Sequence, residues 1–380
     1  MKLPSKRFMY TGAAACLGAV LPLAGVAMAQ SQSGSQMADD VFKNVQVLKG
    51  LTVDDFMGTM GLFSAALNVC CGDCHVGAGG SNPQWDKDVP RKVVARKMIV
   101  MVNALNKANF GGAQVVTCWT CHRGSGAPAT TPSIDAIYSD PIANPPDVLQ
   151  AATNGTVQPS ATIILDKYIQ ALGGADKLAK VTSYTAHATS MLFGEDKGDS
   201  AEIYAKAPDQ LATIVHQREG DMEREYDGKT AWVMLPLTVV QEYELHGSAL
   251  QGGKLDAQMA FPGNIQSFFP TWVVSYPTTI DGHDMYVVQG RRPPGFVATF
   301  YFDQKTGLLR RMVRYADSAV GRVPTQIDYL AYRLVDGVMM PSKWTYGWVS
   351  GREEYNLGDD VQLNARVDEA KFAKPVPRAK

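Results

Sequence analysis

Two five-residue stretches carry the most chemistry in this sequence: Cys71-Gly72-Asp73-Cys74-His75 and Cys118-Trp119-Thr120-Cys121-His122. Each sets two thiols three positions apart and places an imidazole directly after the second. On one turn of chain, both thiols can reach the two vinyl groups of a single porphyrin and form thioethers, and the imidazole then falls on the iron as proximal ligand. The pattern is the attachment site of a c-type haem, present twice. Other uses of paired cysteines fit less well. Zinc knuckles usually lie about 15–20 residues apart, whereas 43 residues separate Cys74 from Cys118, and zinc has no need of a His after both second cysteines. A redox pair normally occurs once, and a disulfide framework belongs to a small, cysteine-dense chain. Cys70 is left over. It reads as a small buried residue, with a free thiol beside the first motif or an alternative attachment point as its other readings.

The distal side of each iron is narrowed by counting. Histidine occurs six times, at 75, 122, 187, 216, 246 and 283, so the motif region holds no imidazole beyond the two proximal ones. Methionines do precede each motif: Met57 and Met60 before Cys71, Met98 and Met101 before Cys118. Both pairs fall on predicted helices. Thr52 with Asp55 makes a capping box, followed by Phe56, Met60 and Phe63 on one face. Pro90 suits a first helical turn, and Val94, Met98, Met101 and Leu105 recur as an apolar stripe. A methionine on such a stripe ordinarily packs in a core. Here the arrangement of helix with Met, loop and C-x-x-C-H occurs twice, as a two-fold internal repeat.

The run from Val41 to Met60, the segment Val93-Val94-Ala95-Arg96-Lys97-Met98 and the segment Val116 to Gly124 resemble one half of the cytochrome c subunit of photosynthetic reaction centres. The resemblance covers residues 41–125. It implies that Met60 is axial to the first haem and Met98 to the second, opposite His75 and His122, while Met57 and Met101 are not ligands. Two features depart from the family. Its usual member carries four haems in two such halves, and this chain has two motifs. The family half similar to this one also has a His between its Met helix and second motif that serves a fourth haem, and here none lies between Met98 and Cys118. A dihaem unit of this kind would serve a reaction centre or a respiratory complex equally.

The elements that must hold these residues follow from the rest of the chain. Of 380 residues, 46% are hydrophobic and 19% charged, with a formal net charge of −1, which describes a foldable globular chain without the basic field of a nucleic-acid binder. Lys2, Lys6 and Arg7, an uncharged stretch from Phe8, and Ala27-Met28-Ala29 before Gln30 make residues 1–29 a secretory signal, with Cys16 inside it. Lys6-Arg7 is not a twin-arginine pair, so export as an unfolded chain into the periplasm is expected. Cleavage as a lipoprotein at Cys16 and retention as a membrane anchor are the rival readings. About 351 residues then remain, enough for two domains.

Residues 30–125 read as an all-α dihaem cytochrome domain, and residues 126–160 as a linker. Six prolines between Ser125 and Ser160 preclude a long helix there. Residues 161–375 read as an α+β domain. Ile163, Ile164, Leu165, Tyr168, Ile169 and Leu172 give one helix ended by Gly173-Gly174, and a short helix follows over Ala175 to Val181. From Thr182 the period becomes two, with turn signals at Ala207-Pro208-Asp209, Asp227-Gly228, Asp281-Gly282, Asp303 to Gly307, Asp336-Gly337 and Leu357-Gly358-Asp359. Met285 to Gln289, Phe296 to Phe302, Leu308 to Arg314 and Gln326 to Leu334 read as strands of an antiparallel meander, with a helical insert near Gly253 to Phe269. In layout, and in phrases such as Ala171-Leu172-Gly173-Gly174, this domain resembles the half-open barrel of periplasmic lipoprotein carriers.

The domain shows no catalytic triad, paired-carboxylate motif or phosphate loop. His187, His216, His246 and His283 are expected at the surface or satisfied in the core, and Trp232, Trp272, Trp344 and Trp348 as barrel filling. The expected function is electron transfer by an exported dihaem c-type cytochrome, with no catalytic residues. Cys71, Cys74, Cys118 and Cys121 bind the two haems, and His75, His122, Met60 and Met98 hold the irons. Its partners would be redox donor and acceptor proteins, among them a membrane-bound reaction centre or respiratory complex, with an apolar ligand in the C-terminal domain and no nucleic acid. The alternatives are a dihaem peroxidase, which needs an iron without Met, and a lipid or quinone carrier whose haems report redox state.

Overall fold

The computed structural model describes residues 36–80, 82–131, 149, 151–152, 158–236 and 238–376. The signal-like segment and most of the proline-rich linker lie outside them. The first described helix is a single turn, α1 (Ala38–Val41). Helix α2 (Val53–Leu67) follows and ends where Asn68 takes the left-handed conformation, φ 52°. Its start differs from the expected capping box: the Thr52 side chain makes no cap bond and instead donates to Asp54 Oδ1 at 2.5 Å. Asp54, not Asp55, is the carboxylate the fold uses there. The first motif is a short helix, α3 (Cys71–Cys74). Helix α4 (Pro90–Phe110) opens on proline, whose missing N–H costs nothing at that position, and closes at left-handed Gly111. The second motif is helix α5 (Cys118–His122).

Ser160 caps α6 (Ala161–Ala171) by accepting from the Ile163 amide, and α7 (Ala175–Leu178) follows the Gly173-Gly174 break. The strands are β1 (Ser183–Leu192), β2 (Asp199–Lys206), β3 (Gln210–Gln217), β4 (Gly220–Tyr226), β5 (Ala231–Met234) and β6 (Glu242–Leu245). After α8 (Gly247–Ala260) and α9 (Ile265–Phe268) come β7 (Thr271–Val274), β8 (Thr278–Ile280), β9 (His283–Arg292), β10 (Phe296–Asp303) and β11 (Leu309–Ser318). The last are β12 (Gly321–Val335), β13 (Val338–Trp348), β14 (Gly351–Leu357) and β15 (Gln362–Leu363). All the pairings are antiparallel, in the order β6-β5-β4-β3-β2-β1-β14-β13-β12-β11-β10-β9-β7, with β15 on β1 and β8 on β9. Each of the six sequence turn signals falls at a strand end.

Strand β10 is buried on both faces, and the two faces explain why. Phe296, Ala298, Phe300 and Phe302 join Ile164, Leu165 and Tyr168 of α6 and Leu255 of α8 in the main core. Val297 and Tyr301 face the other way and pack with Leu149, so the chain leaving the linker covers the back of the sheet. That cover is tied down by Gln289 Oε1 accepting from the Leu149 amide at 3.2 Å and by Arg291 donating to the Leu149 carbonyl at 2.5 Å. Residues from β2, β3 and β4 line one cavity together with residues from β12, β13 and β14, so the sheet curls around its helices. Trp272 belongs to the core, against Phe269 and Phe300, while Trp232 and Trp344 line the cavity.

The helical region is built onto this sheet. Ala319 and Val320, the turn between β11 and β12, pack with Leu48, Leu62, Ala66, Ile99 and Cys118. Ala319 donates its amide to Thr59 Oγ1 at 3.3 Å, and Gln114 donates to the Ser318 carbonyl at 3.0 Å. The approach is close enough to require glycine twice. A Cβ on Gly61 would lie 2.7 Å from Val349 Cγ2 in the β13–β14 turn, and one on Gly321 (φ 146°) would lie 3.0 Å from Leu62 Cδ2.

Candidate functional site: the two cysteine motifs

Both motif histidines are oriented by the backbone. His75 Nδ1 lies 3.1 Å from the Trp85 carbonyl and His122 Nδ1 lies 3.0 Å from the Ser125 carbonyl. A carbonyl accepts only, so each Nδ1 carries a proton, and in the neutral imidazole Nε2 is the nitrogen left with the lone pair that can ligate iron. Burial, then the Lys92 ammonium, holds the His75 imidazole below its ordinary pKa, which keeps it in that form. The Trp85 ring, 5.2 Å from His75 between centroids, steadies it from the side.

The thiols are free in every case: Cys70, Cys71, Cys74, Cys118 and Cys121 form no disulfide among themselves. Cys118 is buried and Cys74 half-buried, and burial pushes both thiols above their ordinary range. Cys70 is exposed, contrary to the buried reading. It precedes α3, and its amide and thiol both donate to Asp73 Oδ2, at 2.9 and 3.3 Å. Asp73 also accepts from Arg91 at 2.5 Å, which ties α3 to the first turn of α4. The Cys70 backbone bond, then its thiol and Arg91, hold this carboxyl below its ordinary pKa.

The second motif is held from two sides. Gly124 donates its amide to the Ala66 carbonyl at 3.0 Å, so α5 packs along the end of α2. Asn106 is 3% exposed and makes a two-way bond with Val116, donating to its carbonyl at 2.7 Å and accepting from its amide at 2.9 Å. The sequence gave no signal for this role, because an Asn within an apolar-periodic helix reads as a solvent position.

Helix α4 buries Ile99, Val102 and Asn106. The stripe expected in the core lies beside that face and is mostly exposed: Val94 is 53%, Met101 49% and Leu105 37% exposed, with Met98 half-buried. Trp119 within the second motif is 44% exposed. An exposed apolar helix face, two thiol pairs and two Nε2 atoms suit a porphyrin, whose faces are apolar and whose edge takes the thioethers. Met60, with Phe56 and Phe63, packs against the cluster that contains Cys118. Thus α2 is close to the second motif as well as leading into the first.

None of the four remaining histidines joins a cluster. Each faces an aspartate: His187 with Asp360, His216 with Asp221 at 3.0 Å, His246 with Asp54 at 3.3 Å and His283 with Asp303 at 2.8 Å. Among the described residues, no group of three His, Cys, Asp or Glu could hold a metal ion.

Residues 18–187 match the family described as photosynthetic reaction centre cytochrome C subunit. The match spans less than half of the chain. The photosynthetic reaction center cytochrome c subunit of Roseobacter denitrificans is 38% identical over 106 residues, 26% of this chain and 28% of that protein. The corresponding subunit of Thermochromatium tepidum is 37% identical over 103 residues, 26% of this chain and 24% of that one. The chain thus spans about a quarter of the length of the curated relatives it matches. Among solved structures, a LolA superfamily protein from Nitrosomonas europaea aligns with TM-score 0.37 and 16% identity over 57% of this chain and 99% of that one. A DUF1329 family protein from Desulfovibrio piger aligns with TM-score 0.40 and 13% identity over 57% and 98%. The matched residues 18–187 take in the helical region and run on through the linker to the first strand of the sheet. The sheet stands on its own register.

Proposed function

We propose that this chain is an exported c-type cytochrome that carries two covalent haems and passes electrons between partner proteins without turning over a substrate. The observation that carries the reading is the doubled C-x-x-C-H, each with its histidine Nδ1 committed to a backbone carbonyl. Cys71 and Cys74 would attach the first haem and Cys118 and Cys121 the second, with His75 and His122 as proximal ligands. Met60 would be the distal ligand of the first and Met98 of the second, as the family resemblance implies. Bound haem supplies one-electron chemistry at iron, and a thioether as sixth ligand raises its reduction potential.

The chain's own residues orient and shield. The Trp85 and Ser125 carbonyls fix which imidazole nitrogen is presented, Arg91 and Asp73 hold the first motif against α4, and Asn106 holds the approach to the second. Export rests on the basic, apolar and A-x-A pattern of residues 1–29. It would place the protein in the periplasm, where a membrane-bound reaction centre or respiratory complex is the fitting electron partner. In the sheet region, the curled strands would hold an apolar ligand.

The test is intact mass together with an optical redox titration of protein made in a host able to attach c-type haem. Two covalent haems and two low-spin, Met-ligated centres are expected. A single haem, or none, overturns the dihaem assignment. An iron that lacks Met and is catalytically reoxidised by peroxide replaces electron transfer with the peroxidase reading.

A further inference from the structure

The curled sheet encloses a cavity of about 530 Å³, a size that takes a ring or ester headgroup with part of an aliphatic tail. Most of its wall is apolar, with Leu172, Leu178, Ile203, Leu211, Trp232 and Met339 among the lining residues. Its polar part holds two arginines together with Glu225 and Asp256. Arg314 forks onto Asp256, Nε to Oδ1 at 3.0 Å and Nη2 to Oδ2 at 2.7 Å, and also donates to the Tyr346 hydroxyl at 2.7 Å. Arg224 donates through Nη2 to Glu353 at 2.8 Å and to the Tyr355 hydroxyl. Its guanidinium lies over the Tyr346 ring, 4.5 Å from the centroid. Trp344 stacks on Tyr355 at 5.2 Å and 7°, giving this end of the cavity a flat aromatic wall.

Two features of this arrangement select a ligand. The arginine charges cancel in pairs, Arg224 with Glu353 and Arg314 with Asp256, and burial keeps the carboxyl of Glu225, which also lines the cavity, protonated, so the wall carries no surplus charge for an ionic headgroup. A carboxylate brought to Arg224 would set two anions against one buried cation, which disfavours it. The donors, however, are not used up. Both Arg224 side-chain bonds leave from Nη2, and Nε and Nη1 make none with the described residues, although the side chain lines the cavity and is 23% exposed. A neutral oxygen acceptor can take those N–H groups without upsetting the charge balance.

We infer that the cavity binds an uncharged amphiphile whose headgroup presents oxygen acceptors to Arg224, a quinone or a neutral acyl ester, and that it discriminates against fatty-acid anions. This rests on the reading of the sheet region as holding an apolar ligand and names its chemistry.

The experiment uses the full haem-loaded chain in equilibrium dialysis against decylubiquinone, dioctanoylglycerol and decanoate at pH 8. Saturable, one-to-one uptake of one or both neutral probes is expected, with decanoate about ten-fold weaker or more, the ratio that a charge mismatch of about 1.4 kcal/mol or more produces. The quinone and ester arms identify the source. Two variants are compared: Arg224→Met with Glu353→Gln, which removes both charges together, and Arg224→Lys, which keeps the charge and loses the fork. Each should weaken the neutral probe about ten-fold, the loss expected for a hydrogen bond from a charged donor. Arg224→Lys keeps the test available if the double variant does not fold. Decanoate binding as tightly as the neutral probes, or neutral binding unchanged in Arg224→Lys, overturns the inference while leaving the cavity a ligand site. No uptake of any probe overturns that underlying reading too.

Discussion

The helical region and the sheet region solve the same problem in opposite ways. In the sheet region large apolar side chains are inside: Phe300, Phe302, Leu309 and Met312 are at most 1% exposed, and Arg224 and Arg314 are paired with Glu353 and Asp256. In the helical region apolar side chains of α4 stand outward beside the cysteine motifs, while polar Asn106 and Thr59 are buried. The sheet therefore completes its own core. The helices leave apolar surface of α4 uncovered, and what they bury among themselves is supplemented by the Ala319-Val320 turn lent by the sheet.

The sharpest way to break this contrast is at the methionines. Met60→Ala and Met98→Ala should each convert one haem from a Met-ligated, low-spin spectrum to an open one with a lower potential, sparing the other. Met60 is assigned to the first haem and Met98 to the second, and selective loss at the opposite haem in each would exchange the assignments. Met57→Ala and Met101→Ala are the controls. Met57 is half-buried and Met101 is 49% exposed, so both should cost less than the roughly 2–5 kcal/mol of a fully buried methionine, with both spectra intact. A spectral change in a control shifts the ligand by one helical turn. Spectra untouched by all four variants would mean that the outward face of α4 and the Met60 cluster are packing surfaces only.

The join between the regions comes next in size. Asp54 has 2% and His246 12% of their side-chain surface exposed; Asp54 accepts from the His246 amide at 2.6 Å and lies 3.3 Å from its Nδ1. Burial alone would raise the Asp54 pKa, but the His246 bond, then that of Thr52, brings it below its ordinary value. The Asp54 bond in turn raises His246, against burial. A raised His pKa gives stability that is present below its ordinary 6.5 and is lost as pH rises through the folded value. A lowered Asp pKa gives stability that is present above its ordinary 3.8 and is lost as pH falls through the folded value. Docking should therefore be firmest between these two pH values. Asp54→Asn should cost about 3–5 kcal/mol and flatten that optimum. Hydrogen exchange at the Ala319 and Val320 amides across pH checks it, and an unchanged profile would mean that the apolar turn alone holds the helices.

How much of each region can be read in the sequence differs for the same physical reason. The two C-x-x-C-H motifs stand out because attaching a porphyrin would dictate both thiols and the imidazole residue by residue, whereas the methionines keep no fixed distance from them. The strands are legible through turns such as Asp303 to Gly307 and Asp336-Gly337, where a glycine takes the positive φ and, in the first, Asp303 accepts from the Lys305 and Thr306 amides. The β11–β12 turn was not, because Ala319 and Val320 are apolar to fit the helical core, and nothing local distinguishes them from strand. Helix α4 misled in the same way: its 4-3-4 stripe is real, yet the fold buries the face marked by Ile99, Val102 and Asn106. Periodicity shows that a helix has an apolar face and is silent on whether protein or prosthetic group covers it.

The smallest expected effect tests whether the sheet region is as self-sufficient as its core implies. Glu225 on β4 is 5% exposed, and its Oε2 has no hydrogen-bond partner among the described residues. Burial, followed by the neighbouring Glu223, pushes its pKa from 4.5 up to about 10. The folded protein then keeps a proton that the unfolded chain releases, so between those two values the folded state binds more protons and stability falls as pH rises. Glu225→Gln retains the neutral shape and removes the titration. Denaturant unfolding at pH 5 and pH 8 should show the variant close to wild type at the lower pH and more stable than it at the higher one. An equal offset at both would mean that Glu225 is ionised in the fold, with a partner other than Glu223 balancing its charge.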